Sequence, residues 1–249
     1  MPHRFPRRAA ADVTAAVAAY LGAGSWLASL GSPGVTAGVL GVGAGAAVLV
    51  RTAGSILLRE PRVCTPADRV TLVRAVLVAC CAALTVAGIL GRQPPAAVLV
   101  FLGAAAFALD ALDGPVARRT GTASAAGARL DTETDAALTL VLSCAAAVST
   151  GAWVLLIGLM YYAFAVAGRF RPGLQKTLPP SPLRKAIGAL QPFALLLALT
   201  PGVPSAAGTT ALLVALALLL FSFGRDTAAL ERLHRSGPVA AATPGTFNS

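Results

Sequence analysis

Eight apolar stretches separated by short polar or basic breaks run along the chain, over residues 12–30, 34–50, 70–90, 96–112, 133–150, 152–168, 186–200 and 206–223. None sustains the period-two alternation of a half-buried strand, so helices are expected throughout. Most stretches are long enough to supply the ~17–25 helical residues that cross a hydrocarbon layer. The pattern predicts an all-α protein, a polytopic transmembrane helix bundle. The first two stretches are rich in Ala and Gly and only moderately apolar. The opening run Met1-Pro2-His3-Arg4-Phe5-Pro6-Arg7-Arg8, followed by apolar residues, also fits a signal peptide. A retained helix is the reading adopted, because the rest of the chain is polytopic in either case.

Composition narrows the picture further. Of 249 residues, 56% are hydrophobic and only 12% charged, against about 25% charged in an ordinary soluble domain. So few polar side chains cannot cover a water-facing surface of this size, and lipid must cover part of it. A net charge of +10 raises nucleic acid as a partner, but the placement of the charges argues for no nucleic acid. Basic residues fall in alternate breaks: Arg4, Arg7 and Arg8; Arg51, Arg59, Arg62 and Arg69; Arg118, Arg119 and Arg129; Arg169, Arg171, Lys176, Arg184 and Lys185; Arg225, Arg232 and Arg235. The other breaks, at 31–33, 91–95, 149–151 and 201–205, carry only Arg92. Eight crossings put both termini and every basic break on one side, which the positive-inside rule makes the cytoplasm. The expected setting is an integral, multi-pass protein of a bacterial cell membrane, in contact with membrane lipid.

Several features carry no chemistry. Cys64, Cys80, Cys81 and Cys144 form no CxxC pair, and three of them lie in apolar runs, as small buried hydrophobes do. His3 and His234 stand outside any constellation. Gly41 and Gly45 have GxxxG spacing with no strand before them, which fits close helix packing better than a nucleotide loop. The stretch 236–249 is rich in Pro, Ala, Gly, Ser and Thr and is expected to be a disordered tail.

The acidic residues are a different matter. The chain has ten, and five of them, Asp110, Asp113, Asp131, Glu133 and Asp135, fall at the edges of two neighbouring apolar stretches. Asp110 and Asp113 are three apart and Asp131 and Asp135 four apart, so each pair shares a helix face. The short basic connection 114–130 makes the two helices antiparallel neighbours and brings both pairs to one level. Four converging carboxylates repel one another unless cations offset them. Oxygen donors suit Mg²⁺ or Mn²⁺, and two such ions ~3.5–4 Å apart can hold both the attacking and the leaving oxygen of a phosphoryl displacement. Gly114 and Gly127 leave room for a phosphate or nucleotide, and Arg118 and Arg119 can neutralise diphosphate oxygens. Helix capping accounts for one or two of the Asp residues, Asp131 for example, and leaves the set unexplained.

The segment resembles the signature of the CDP-alcohol phosphatidyltransferases, D-x2-D-G-x2-A-R-x8-G-x3-D-x3-D. Asp110, Asp113, Gly114, Ala117, Arg118, Gly127, Asp131 and Asp135 occupy all of its fixed positions. A looser likeness in helix number and polarity extends over residues 65–226. Upstream, Thr65-Pro66-Ala67-Asp68-Arg69-Val70-Thr71-Leu72-Val73-Arg74 is similar to the family's Pro-Asn-x-x-Thr-x-x-Arg, with Ala67 in place of Asn and altered spacing. The resemblance implies a six-helix catalytic membrane domain over 63–235, preceded by a two-helix extension at 1–62. It implies a CDP-alcohol donor, CDP-diacylglycerol in the first place, a hydroxyl acceptor, release of CMP and two Mg²⁺ or Mn²⁺ ions per site. Asp110, Asp113 and Asp131 would hold metal, and Asp135 would act as the base while sharing an ion. Gly114, Ala117, Arg118 and Gly127 would lie against the CMP part, with Asp68 and Thr71, and Arg74 beside them, as further nucleotide contacts. For Asp68, Thr71 and Arg74, interfacial capping and snorkelling is an equal alternative. Arg129, Arg184 and Lys185 are candidates for an acceptor phosphate, and equally for ordinary positive-inside residues. Relatives are commonly dimeric, so a homodimer is a further expectation of the resemblance.

The competing reading is a membrane transporter or metal-binding membrane protein using the same Asp cluster. Transporters place such groups near mid-bilayer on broken helices, often within inverted repeats, whereas here they stand at helix ends and no repeat is visible.

Overall fold

The computed structural model describes residues 5–29, 34–58, 65–90, 96–119, 121, 124–170 and 181–235, with side chains described over 9–27, 34–58, 65–90, 96–111, 121, 124–167 and 181–229. Among them are eight α-helices and no strand: α1 (Phe5–Ser29), α2 (Val35–Leu57), α3 (Pro66–Ile89), α4 (Ala96–Arg119), α5 (Ala125–Thr150), α6 (Leu155–Phe170), α7 (Pro182–Leu199) and α8 (Ser205–Arg235). A single 3₁₀ turn, Ala152–Val154, leads into α6. Each apolar stretch of the sequence falls in its own helix. The expected tail at 236–249, His3 and Cys64 lie outside the described residues, as does the side chain of His234 near the end of α8.

The helices run further than the apolar stretches. α4 continues through Gly114 and Pro115 to Arg119, and α5 already begins at Ala125, so the connection between them is far shorter than 114–130. Hydropathy marks where a helix meets apolar surroundings, whereas backbone hydrogen bonding continues into the polar ends. Among the described residues four helices are long and apolar enough to cross a membrane: Val35–Leu57, Pro66–Ile89, Pro182–Leu199 and Ser205–Ala229. The apolar parts of α4 and α6 are shorter, 10–17 residues.

α3 is the spine. Beyond Arg74 it is apolar on every side, as a helix surrounded by others must be, and its buried residues include Leu72, Ala75, Val78, Ala79, Cys80, Cys81 and Leu84. One face meets α1 and α2 through Tyr20, Leu27 and Leu49. Val78 faces the other way, into a core built with Ala106, Leu138, Leu142, Val154, Leu195, Leu212 and Ala215 from α4, α5, the turn before α6, α7 and α8. The GxxxG pair explains how closely α2 can lie. A methyl group on Gly41 would come 2.9 Å from the Ala83 carbonyl oxygen, and one on Gly45 would run into the Ala79 carbonyl and the Tyr20 hydroxyl. Two backbones pack at this distance only without side chains between them. Tyr20 in turn donates its hydroxyl hydrogen to the Val42 carbonyl at 2.6 Å.

The outer surface is apolar. Leu21, Trp26, Val39, Leu40, Val50, Phe101, Leu156, Phe193, Leu213, Leu220 and Phe221 are all exposed. Patches on this scale are foreign to a soluble monomer and fit a lipid boundary.

Candidate active site

The site begins with the start of α3. Thr65 caps the helix: its hydroxyl accepts the Asp68 backbone N–H at 3.1 Å, while Asp68 Oδ2 accepts the Thr65 backbone N–H and the Thr65 hydroxyl, each at 2.9 Å. Pro66 opens the helix, where its missing N–H costs nothing. Asp68 and Thr71 are both buried, and the Thr71 hydroxyl donates to the Ala67 carbonyl at 3.1 Å. The capping alternative for Asp68 is therefore realised.

About two turns into α3, Arg74 projects its guanidinium between α4 and α5 with only 1% of the side chain exposed. Its Nη1 lies 3.2 Å from Asp110 Oδ1 on α4. The same nitrogen pairs with Asp131, and Nη2 with Asp135, both on α5. Asp131 and Asp135 are one turn apart and face the cluster, while Leu130, Thr134 and Leu138 on the adjoining strip of α5 are buried in the bundle. The cap of α5 is Ser124, whose Oγ accepts the Gly127 N–H at 3.0 Å, so Asp131 is not needed as a cap.

One carboxylate oxygen from each of Asp110, Asp131 and Asp135 can be chosen so that all lie within 4.8 Å of one another. Their side chains are 33%, 33% and 45% exposed, so the cluster is partly open while the arginine behind it is sealed. Hard oxygen donors in a half-open cluster fit a divalent cation such as Mg²⁺ or Mn²⁺. Asp113, Gly114, Ala117 and Arg118 continue α4, but the side chains of that segment lie outside the described residues.

The three basic candidates separate. Arg184 at the start of α7 is engaged with Asp226 of α8, through Nε at 2.7 Å and Nη2 at 3.4 Å. Lys185 is exposed and within electrostatic range of Asp110. Arg129 is exposed on the first turns of α5. Three features were not anticipated: the bridging position of Arg74, the Arg184–Asp226 pair, and the 3.1 Å contact of Glu133 with Arg51 of α2. An arginine inside an apolar run is a signal of function in itself, but spacing along one chain cannot name partners on two other helices.

A helical bundle with an apolar exterior and a carboxylate cluster about two turns or more inside α4 and α5, rather than at the helix ends the sequence suggested, fits a membrane protein with a polar site between its helices. The model of the CDP-alcohol phosphatidyltransferase family matches residues 64–223, well over half the chain, and the chain belongs to that family. The matched span begins just before α3 and ends within α8, so α1 and α2 lie outside it. No curated protein and no solved structure matches the chain. The family transfers a phosphatidyl-type group from a CDP-alcohol to an alcohol acceptor in a membrane and depends in general on metal ions.

Proposed function

We propose that this chain transfers a phosphatidyl group from CDP-diacylglycerol to an acceptor hydroxyl, releasing CMP, as a step of phospholipid biosynthesis. One observation carries the reading: Asp110, Asp131 and Asp135, three of the four signature aspartates, converge from two helices with oxygens within 4.8 Å.

Asp110, Asp113 and Asp131 would hold two Mg²⁺ or Mn²⁺ ions, with Asp135 sharing one. Bound there, the ions would supply positive charge for the diphosphate oxygens and for the oxygen that departs. The carboxylate of Asp135 accepts the proton of the acceptor hydroxyl. The oxygen so freed bonds to the lipid-bearing phosphorus as that phosphorus parts from its bridging oxygen, which leaves with CMP. Asp68, Thr71, Gly114, Ala117, Arg118 and Gly127 line the path of the CMP part, and Lys185, Arg129 and Arg184 serve an anionic acceptor. Of these, Lys185 has the best support, being within electrostatic range of Asp110. Arg184 would act from its pair with Asp226. Residues 63–235 form the catalytic domain and 1–62 an extension, with the active site and both termini on the cytoplasmic side of a bacterial membrane. A lipid donor and a water-soluble acceptor can meet at a site towards one end of the bundle, which supports that placement.

Purified protein incubated with Mg²⁺, CDP-diacylglycerol and separate acceptors (glycerol 3-phosphate, an inositol phosphate, serine) should release CMP with at least one of them and stop on chelation. CMP release only from CDP-choline with diacylglycerol would overturn the donor assignment, and none from any combination would overturn the reaction.

A further inference from the structure

The family's reaction needs cations at the aspartates, yet this chain brings a cation of its own to the same oxygens. The Arg74 guanidinium touches Oδ1 of Asp110, Asp131 and Asp135 together. It reaches them from the interior, 1% exposed, on the most enclosed helix of the bundle. The aspartate side chains, by contrast, are a third or more exposed. Three carboxylates whose oxygens lie within 4.8 Å would repel one another strongly in a half-buried site. A guanidinium is always charged and forks to more than one acceptor, so it can hold such a set together where a lysine could not.

We propose that Arg74 is a placeholder cation: it holds the aspartate cluster together in the metal-free protein and competes with the divalent ions for it, setting how much metal the site needs. The inference rests on the metal-site reading above. An arriving ion must either displace the guanidinium from these oxygens or take the remaining ones against its charge, and both weaken binding. Arg74 also preorganises the ligands, which works the other way. Repulsion by a full charge a few ångströms away in a poorly screened site outweighs the benefit of holding three short side chains still.

The test uses Mn²⁺ as the probe, with free Mn²⁺ read by electron paramagnetic resonance and no substrate present. Wild type, Arg74→Gln and Asp110→Asn are compared, each purified with Mn²⁺ and then stripped. Arg74→Gln should bind Mn²⁺ about tenfold more tightly than wild type, a difference of about 1.4 kcal/mol. It should also melt at a lower temperature when metal-free, and gain more from Mn²⁺ than wild type does. Equal or weaker binding by folded Arg74→Gln would make Arg74 a buttress and end the proposal. Wild-type binding that Asp110→Asn abolishes, unchanged in Arg74→Gln, removes the placeholder role and leaves the metal site standing. No binding by any of the proteins removes both. If stripped Arg74→Gln does not stay folded, Arg74→Lys carries the same comparison, with a smaller tightening expected. A variant that unfolds even at saturating Mn²⁺ also overturns the proposal, since the ion should replace the missing charge.

Discussion

Along α5 the residues Asp131, Glu133 and Asp135 are close in sequence and differ in what they meet. Asp131 and Asp135 turn to Arg74, whereas Glu133 reaches Arg51 on α2, in a pair whose side chains are 74% and 31% exposed. Replacing Asp135 by Ala should leave a folded membrane protein that releases no measurable CMP, and Asp113→Ala should do the same. Turnover at the wild-type rate in either would end the proposed mechanism. Glu133→Ala should retain most activity and lose at most about 1 kcal/mol of stability, since an exposed ion pair contributes little; assays of CMP release and thermal unfolding in the same detergent separate the two faces. The pairing of Asp131 with Asp135 by helical spacing was readable directly, because residues four apart on one helix share a face whatever surrounds them. The function of Arg74 was not readable in that way, since its partners lie on other helices, 36 to 61 residues along the chain.

Two helix-level devices hold the site in place. The Thr65–Asp68 capping box starts α3 and so sets the register that places Arg74. Thr65→Ala should cost about 1 kcal/mol, seen as a lower melting temperature. Gly45 lets α2 lie against α3, and the group that a larger side chain would strike is the Ala79 backbone, which cannot turn aside. Gly45→Val should therefore cost about 1–3 kcal/mol or more through overpacking, where Gly38→Val on the same helix, half-buried but with nothing within 4 Å of its added carbon, should cost far less. Comparing the two by thermal unfolding isolates contact from helix propensity. GxxxG spacing foretold close packing and left its partner open. α3 answers because it is the neighbour that presents Ala79 and Ala83.

For the whole molecule, the charged contacts share one end of the bundle. Asp12 near the start of α1 meets Arg69 in the first turn of α3 at 3.0 Å, Arg51 near the end of α2 meets Glu133 near the start of α5, and Arg184 at the start of α7 meets Asp226 towards the end of α8. The Arg74 cluster stands at the same end. These are alternate helix ends, which an up-and-down arrangement brings together, and the proposed topology places them on the cytoplasmic side. Single cysteines at Leu58 and Ser181, in a background without the native cysteines, should react with an impermeant thiol reagent only from the cytoplasmic side. Cysteines at Gly34 and Leu90 should react only from the other. Labelling of all four from one side would refute the proposed topology.

From the order of its residues alone, this chain declares a helical membrane protein, the positions of eight helices and a family signature centred on four aspartates. These properties depend on local spacing and on the length of apolar runs, which survive without knowledge of neighbours. The tertiary structure alone decided that α3 is the spine, that α1 and α2 pack onto it through Tyr20 and Gly45, and that a sealed arginine answers the aspartates. Such contacts depend on which helix faces meet, and a helix that is apolar all round, like α3, carries no mark of which side its neighbours will take.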